Sequence, residues 1–509
     1  MTMSSTRGLP PSARGMTNIA NAGVTDMEDD LDDCTFYDPV TNPSGLIMAS
    51  GASNDLMDDW LETYSEKFGR TFKLSESLAY GGVIGPEKLA KAVAHYVNRK
   101  FAPSTLISAE HILPTNGVSS LLDMVAFNVC DQGEGIMFTT PTYSMFGHDL
   151  YAKAGTALIP VATDHITDQF SASCAATLLA TFERVYRKAT SAGTKIKAVL
   201  LCNPSNPVGR FYSKETLLAI AGFCGRRKLH LVSDEIYAMS GFASISGQPA
   251  LDGFTSVLSL KDDPKNFICT ENIHALYGSS KDFAMGGLRL GFLITRNTRL
   301  WKACRRCAVF TWVSPFSTEF FTNFIGNDAV VDSYLQTYQT RLREKYLAVA
   351  EGLKSHNIPF DPANACLFVW LDLSHWLKYF DGPDRPGIVT KSIKTQEQEE
   401  ITRERHLGRH LIQHGVYLSA GELSASPTPG RFRFVYTSQG DQAMIVVERI
   451  REALNDLERS SAKYRHENAV NEGMHSDEDS ISNEKYPRQP SQGSGRASLS
   501  RAIRAALCF

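Results

Sequence analysis

The chain has 509 residues, of which 43% are hydrophobic and 21% charged. That balance suits a globular protein with a real core, and the length favours two compact domains plus tails. With 52 basic and 55 acidic residues and a net charge of -3, nothing points to nucleic acid or an anionic membrane as a partner.

In chain order, residues 1–35 read as a disordered tail, polar and closing on the acidic run Asp26-Met-Glu-Asp-Asp-Leu-Asp-Asp33. Met1 to Gly23 lacks the apolar run of a secretory signal. No stretch approaches the roughly 20 apolar residues a membrane span needs. A soluble, cytoplasmic protein is expected, and ten cysteines without regular spacing fit reduced thiols there. Pro86 opens a segment of helical apolar spacing through Val97. Thr115-Asn-Gly-Val-Ser-Ser120 precedes an apolar helix at Leu121–Val129. Short apolar runs ending in turn residues then read as strands: Gly135 to Thr140, Ile196 to Cys202, Leu229 to Ser233 and Leu290 to Thr295. A helical pattern lies at Lys214–Cys224. Cys304 and Cys307 have C-x-x-C spacing inside another helical stretch; a zinc site would want a second pair, so they read as helix cysteines one turn apart. Residues 381–400 read as a polar surface loop. His406, His410 and His414 recur every four residues beside Leu407 and Leu411. No carboxylate-rich phrase completes a metal site, so they read as a solvated helix face and no metal is expected. A helix at Asp441–Leu457 is followed by a second polar tail, 460–509.

Strands alternating with helices predict an α/β fold with a mostly parallel sheet, whose ligands bind beyond the carboxyl ends of the strands. The informative phrases sit there: Cys202-Asn-Pro-Ser-Asn-Pro-Val-Gly209, Ser233-Asp-Glu-Ile-Tyr237 and Tyr277-Gly-Ser-Ser-Lys-Asp-Phe-Ala-Met-Gly-Gly-Leu-Arg-Leu-Gly291. In order and type they resemble the signature of fold-type-I pyridoxal-phosphate (PLP) enzymes, the class I/II aminotransferases. Leu367-Phe-Val-Trp-Leu-Asp-Leu373 and Pro429-Gly-Arg-Phe-Arg433 make the chain most similar to the subgroup containing 1-aminocyclopropane-1-carboxylate synthases. The resemblance covers residues 36 to 456.

The resemblance implies a large PLP-binding domain over 86–325. It also implies a smaller α+β domain built from 36–85 and 326–459, and a homodimer. It makes Lys281 the amine that joins the cofactor aldehyde and later moves the substrate's proton. Asp234 matches the carboxylate that keeps the pyridine nitrogen protonated. Asn206 and Tyr237 match the donors to the phenolic oxygen, and Tyr143 the aromatic on the ring. Arg289 matches the phosphate arginine, and the amides of Gly117, Val118 and Ser119 would meet the phosphate at a helix N-terminus. Tyr80 resembles a tyrosine that reaches the neighbouring subunit's phosphate. Arg433 matches the clamp on the substrate carboxylate, with Asn206 and Ser53 as the other substrate-binding positions.

Three positions depart from the pattern. Gly278 stands where many relatives have a phosphate-binding serine, leaving Ser279 or Ser280 to compensate. Ser53, in Ser50-Gly-Ala-Ser-Asn-Asp-Leu56, stands where the cyclopropane-forming synthases carry a glutamate, and Val83 where they carry a tyrosine. A hydroxyl at position 53 cannot supply a carboxylate's charge. The expected activity is therefore transfer of an amino group between an amino acid and a 2-oxo acid, with a carbon–sulfur lyase or cyclopropane synthase as the alternative. A non-catalytic PLP-binding regulator is the third reading, disfavoured because Lys281 is intact and the N-terminal tail is too short and too polar for the winged helix such regulators carry.

Overall fold

Short runs of apolar residues without polar alternation suit strands covered on both faces, and most of the central strands here are covered so. The computed structural model describes residues 9–20, 31, 34–69, 72–242, 253–380, 396–438 and 442–474. After a short β1 (Ile47–Met48) come β2 (Ile112–Thr115), β3 (Gly135–Thr140), β4 (Ala157–Ala162), β5 (Ile196–Cys202), β6 (His230–Asp234), β7 (Ile273–Gly278) and β8 (Gly291–Thr295). The last seven form one sheet in the order β2-β8-β7-β6-β5-β3-β4. Only β8 runs against its neighbours, β2 and β7; the other pairings are parallel. β3, β7 and β8 are buried at every position.

The helices on this sheet start and stop where local chemistry dictates. Pro86 is the N-cap of Glu87–Lys100, one position before the first turn where the sequence placed it. That helix buries Leu89, Val93, Tyr96 and Val97 on one face and ends on Arg99 and Lys100, which suit the negative end of its dipole. Ser213 Oγ accepts from Thr216 N at 3.2 Å and opens Lys214–Arg227. Cys304 and Cys307 lie on the helix Thr298–Cys307, where Asn128 Nδ2 donates to Cys307 Sγ at 3.7 Å.

A second, antiparallel sheet is ordered β12 (Ser419–Ala420), β13 (Arg431–Val435), β10 (Phe368–Asp372), β9 (Phe360–Asp361). β11 (Val416–Tyr417) pairs in parallel with β1, so the N-terminal segment joins the C-terminal third. The long helix Asp328–Ser355 lies between the two sheets in sequence.

Several expectations are corrected. Residues 13–20, read as part of a tail, form a helix whose Asn18 Nδ2 donates to Ala152 O at 3.1 Å. Of the acidic run, only Leu31 is described, and it is buried. The final helix, Gln442–Met474, continues past 460, where a tail was expected; 475–509 lie outside the described residues. Residues 381–395 of the polar loop also lie outside them, and the rest of that stretch belongs to the helix Gln396–Gln413. The histidines are not one solvated face. His406 stacks on Phe380, whereas His410 and His414 turn toward the last helix. Among the described residues, no helix is long and apolar enough to cross a membrane.

Candidate active site

Parallel strands aim their carboxyl ends at one edge of the sheet, and the loops leaving β5, β6 and β7 meet there. Asn203 N donates to Asp234 O at 2.8 Å, tying the loop after β5 to the end of β6. The cleft between them holds about 520 Å³, counted out to its mouth, and is lined by Val118, Ser119, Tyr143, Asn206, Asp234, Tyr237, Ser280, Lys281 and Arg289 together with Leu122, Cys202 and Ile236. Residues far apart in the sequence of the large sheet thus converge on one concavity.

Lys281 is held from both sides. Its Nζ donates to Ala52 O at 2.8 Å, and its own carbonyl accepts from Asn54 Nδ2 at 3.3 Å. On the far side the chain is locked into the core. Asp282 Oδ2 accepts from Met239 N at 2.8 Å and from Tyr277 Oη at 2.9 Å, and Phe283 is fully buried among Tyr96, Phe321 and Phe324. The lysine therefore sits on a rigid base, as a covalent attachment point requires. Burial is the main cause pushing its amine down to about 7; Arg433 and Arg289 add to this and Asp234 opposes it. Asp234 is moved the other way, up to about 7, chiefly by burial. Ile236 N donates to its Oδ1 at 3.2 Å and stabilises the carboxylate, Asp149 destabilises it and Lys281 favours it.

The opposite end of the cleft is a cradle for an anion. Gly117 caps the helix Val118–Val129 with φ +120°, and a Cβ there would lie 2.6 Å from Arg289 Nη2. Only glycine allows that guanidinium to approach the amides that open the helix. Gly291 repeats the constraint, since its Cβ would meet Gly117 C at 2.6 Å. Of the two hydroxyls expected to replace the missing serine, Ser280 lines the cleft. Ser279 does not: it is buried behind the site, donating to Met285 O at 3.1 Å.

Arg433 and Arg431 share a face of β13 and have opposite surroundings. Arg431 meets Asp361 and Asp372, each at 3.2 Å. Arg433 is buried at 4% exposure, and no carboxylate among the described residues pairs with it. Its Nη1 donates to Asn206 Oδ1 at 2.8 Å and its Nη2 to Ser50 O at 2.7 Å, while its Nε has no hydrogen-bond partner. A buried guanidinium without a counter-charge is costly in a closed protein, and an arriving carboxylate relieves that cost.

Two expected residues stand apart. Tyr80 is 96% exposed, tilted against Trp312 at 5.8 Å, and is not part of this chain's cleft. Ser53 has an exposed side chain, though its neighbours Ser50, Ala52 and Asn54 all contact Arg433 or Lys281. The sequence reading missed that backbone contribution, and it missed Asp149. This carboxyl is buried beside Ser119 and pushed up to about 7 by burial and by Asp123. No residue pattern announces either, because both depend on segments distant in sequence.

Two outcomes follow. Gly278→Ser, which restores the relatives' serine, should destabilise the protein and weaken cofactor binding, because a Cβ there meets Leu290 O at 2.6 Å. Thermal unfolding and cofactor titration would check this, and a tighter, equally stable variant would contradict it. An amine attacks an aldehyde only as its free base. Capture of PLP by the cofactor-free protein should therefore rise with pH and reach half its plateau near 7, not near 10.5 where an unshifted lysine titrates. Stopped-flow rates across roughly pH 6 to 9 would decide it.

The profile of aminotransferase class I and II matches residues 48–450. The chain is 27% identical over 433 residues to 1-aminocyclopropane-1-carboxylate synthase 7 of Arabidopsis thaliana, covering 83% of this chain and 90% of the relative. It is also 27% identical over 419 residues to 1-aminocyclopropane-1-carboxylate synthase-like protein 1 of Mus musculus, covering 82% and 78%. Among solved structures, the aspartate aminotransferase of Thermus thermophilus with maleate superposes with a TM-score of 0.60 at 19% identity, over 88% of this chain and 100% of that one. The aromatic aminotransferase of Pyrococcus horikoshii gives 0.63 at 18% identity, over 81% and 96%. These structural likenesses speak to the fold, which is that of fold-type-I PLP enzymes. The chain belongs to the class I and II aminotransferase family, whose cofactor is pyridoxal phosphate.

Proposed function

We propose that the protein transfers an amino group between an amino acid and a 2-oxo acid. The observation that carries the reading is Arg433, buried against the cleft residue Asn206 with no carboxylate of its own among the described residues, while Arg431 two residues away is neutralised by two. Such a site fits the α-carboxylate that every amino acid and 2-oxo acid shares.

The buried residues fit the cofactor. Lys281 offers an amine that burial brings down to about 7, so that about half of it is the free base at neutrality, and the buried Asp234 would pair with the ring nitrogen. Asn206 and Tyr237 supply polar groups for the phenolic oxygen, and Tyr143 an aromatic face. Gly117, Val118, Ser119, Ser280 and Arg289 would hold the phosphate. When bound, the cofactor supplies an electron sink that stabilises charge on the substrate α-carbon. The protein's own tasks are then three. Arg433 fixes the carboxylate, Lys281 carries a proton to and from the α-carbon, and the buried walls keep water out. A low-dielectric site strengthens the Asp234 charge once a cation lies against it.

Position 53 supports transfer over ring closure. The segment Ser50 to Asn54 folds directly over Lys281, and the residue there is a serine, not an acid. The second reading is elimination, as a lyase, and the observation favouring it is the similarity to relatives named as synthases. The reading extends to a homodimer. Tyr80 at 96% exposure, in ring contact with the 39% exposed Trp312, presents apolar surface of the kind a second subunit covers.

Purified protein given a panel of amino acids with 2-oxoglutarate should form the matching 2-oxo acids without releasing ammonia. S-adenosylmethionine should yield no cyclopropane amino acid. Ammonia release or ring closure at the higher rate would replace transfer with the lyase reading. Arg433→Lys should raise the substrate KM at least about tenfold while leaving cofactor affinity unchanged, since lysine keeps the charge and loses the two-pronged geometry. Arg431→Lys should matter less, and the reverse ranking would move the clamp by two residues.

A further inference from the structure

The helix Gln396–Gln413 packs against the last helix, Gln442–Met474. His410 lies in the last turn of the first, and His414 directly follows its end. Asp456 faces both from the second helix. His410 Nε2 is 3.9 Å and His414 Nε2 3.7 Å from Asp456 Oδ2, and one donor atom of each residue lies within 4.8 Å of the others. The two imidazole rings are 4.6 Å apart between centroids. His410 Nε2 also donates to Ala453 O at 2.9 Å, so an ion bound through that nitrogen replaces this hydrogen bond and leaves the ring proton on Nδ1.

The two histidine–aspartate separations are too long for hydrogen bonds and close to those of ligands around one ion. Bonds of about 2.0–2.1 Å in a tetrahedral shell put donors roughly 3.3 Å apart, so the histidine–aspartate pairs close by about half an ångström and the widest pair, within 4.8 Å, by up to about 1.5 Å. Two imidazoles at i and i+4 share a helix face, and the carboxylate comes from a separate, packed element. Side-chain exposures of 15%, 28% and 44% for His410, His414 and Asp456 leave a mouth through which an ion and its remaining water can enter. Imidazole nitrogens with one carboxylate suit Zn²⁺ and its neighbours and disfavour Mg²⁺ or Ca²⁺, which take oxygen shells.

We propose that His410, His414 and Asp456 form a site for a divalent transition-metal ion of the Zn²⁺ class, which clamps the two helices together. The clamp bears on the active site through Glu404 of the same helix. That buried carboxyl accepts from Glu422 N at 2.7 Å and from Gly430 N at 2.6 Å, and Gly430 leads into β13 and Arg433.

The test uses the full-length, PLP-loaded protein, freed of metal with a chelator and titrated with Zn²⁺ by calorimetry. One equivalent should bind with micromolar affinity and raise the thermal midpoint. His414→Ala and the isosteric Asp456→Asn should each weaken that binding at least about tenfold. X-ray absorption at the zinc edge should report nitrogen and oxygen ligands only. Absence of Zn²⁺ binding, unchanged affinity in a folded variant, or a sulfur shell from the ten cysteines would each overturn the proposal.

Discussion

Three ionisable side chains, Lys281, Asp234 and Arg433, meet where the parallel strands end, and burial disfavours the charged form of each. Lysine responds downward to about 7 and aspartate upward to about 7. Without cofactor, both shifts cost stability near neutrality. As pH rises from 3.8 toward 7, the unfolded chain releases the Asp234 proton that the folded chain retains, so this group's contribution falls. As pH drops from 10.5 toward 7, the unfolded chain gains a proton that Lys281 refuses, and that contribution falls too. A site arranged in this way is stabilised by an occupant that meets both groups, which links cofactor binding to the stability of the fold.

Everything around that triad serves to hold it dry and in place. β8 runs against its neighbours and brings Gly291 onto Gly117, so that Arg289 can approach the helix N-terminus. Asp282 and Phe283 root the lysine in an aromatic core. The segment Ser50 to Asn54 closes over it, with β1 and β11 pairing its flank to the C-terminal third. Arg433 of β13 meets Asn206 of the loop after β5, so that one buried hydrogen bond joins the two sheets at the cleft.

The residue types at strand ends were legible in the sequence because chemistry restricts them: few sites require an acid, a lysine and an arginine in that fixed order. β3 and β5 were read with their observed limits, since buried parallel strands appear as unbroken apolar runs. β7, with a histidine and a tyrosine in it, and β4, which is half-exposed, carry weaker patterns and were not singled out. Choosing Ser280 over Ser279 required the turn geometry that follows β7. His410 and His414 looked solvated because the carboxylate facing them belongs to another helix, and Asp149 gave no signal for the same reason. Local periodicity reports local neighbours; the remaining partners were brought together by tertiary packing.

The central claim is that Lys281 is the amine that carries the cofactor. Borohydride reduction of the PLP-loaded protein, followed by proteolysis and peptide mass mapping, tests it directly. The account predicts a pyridoxyl group on Lys281 and its loss in Lys281→Ala; recovery of the label on any other lysine would contradict it.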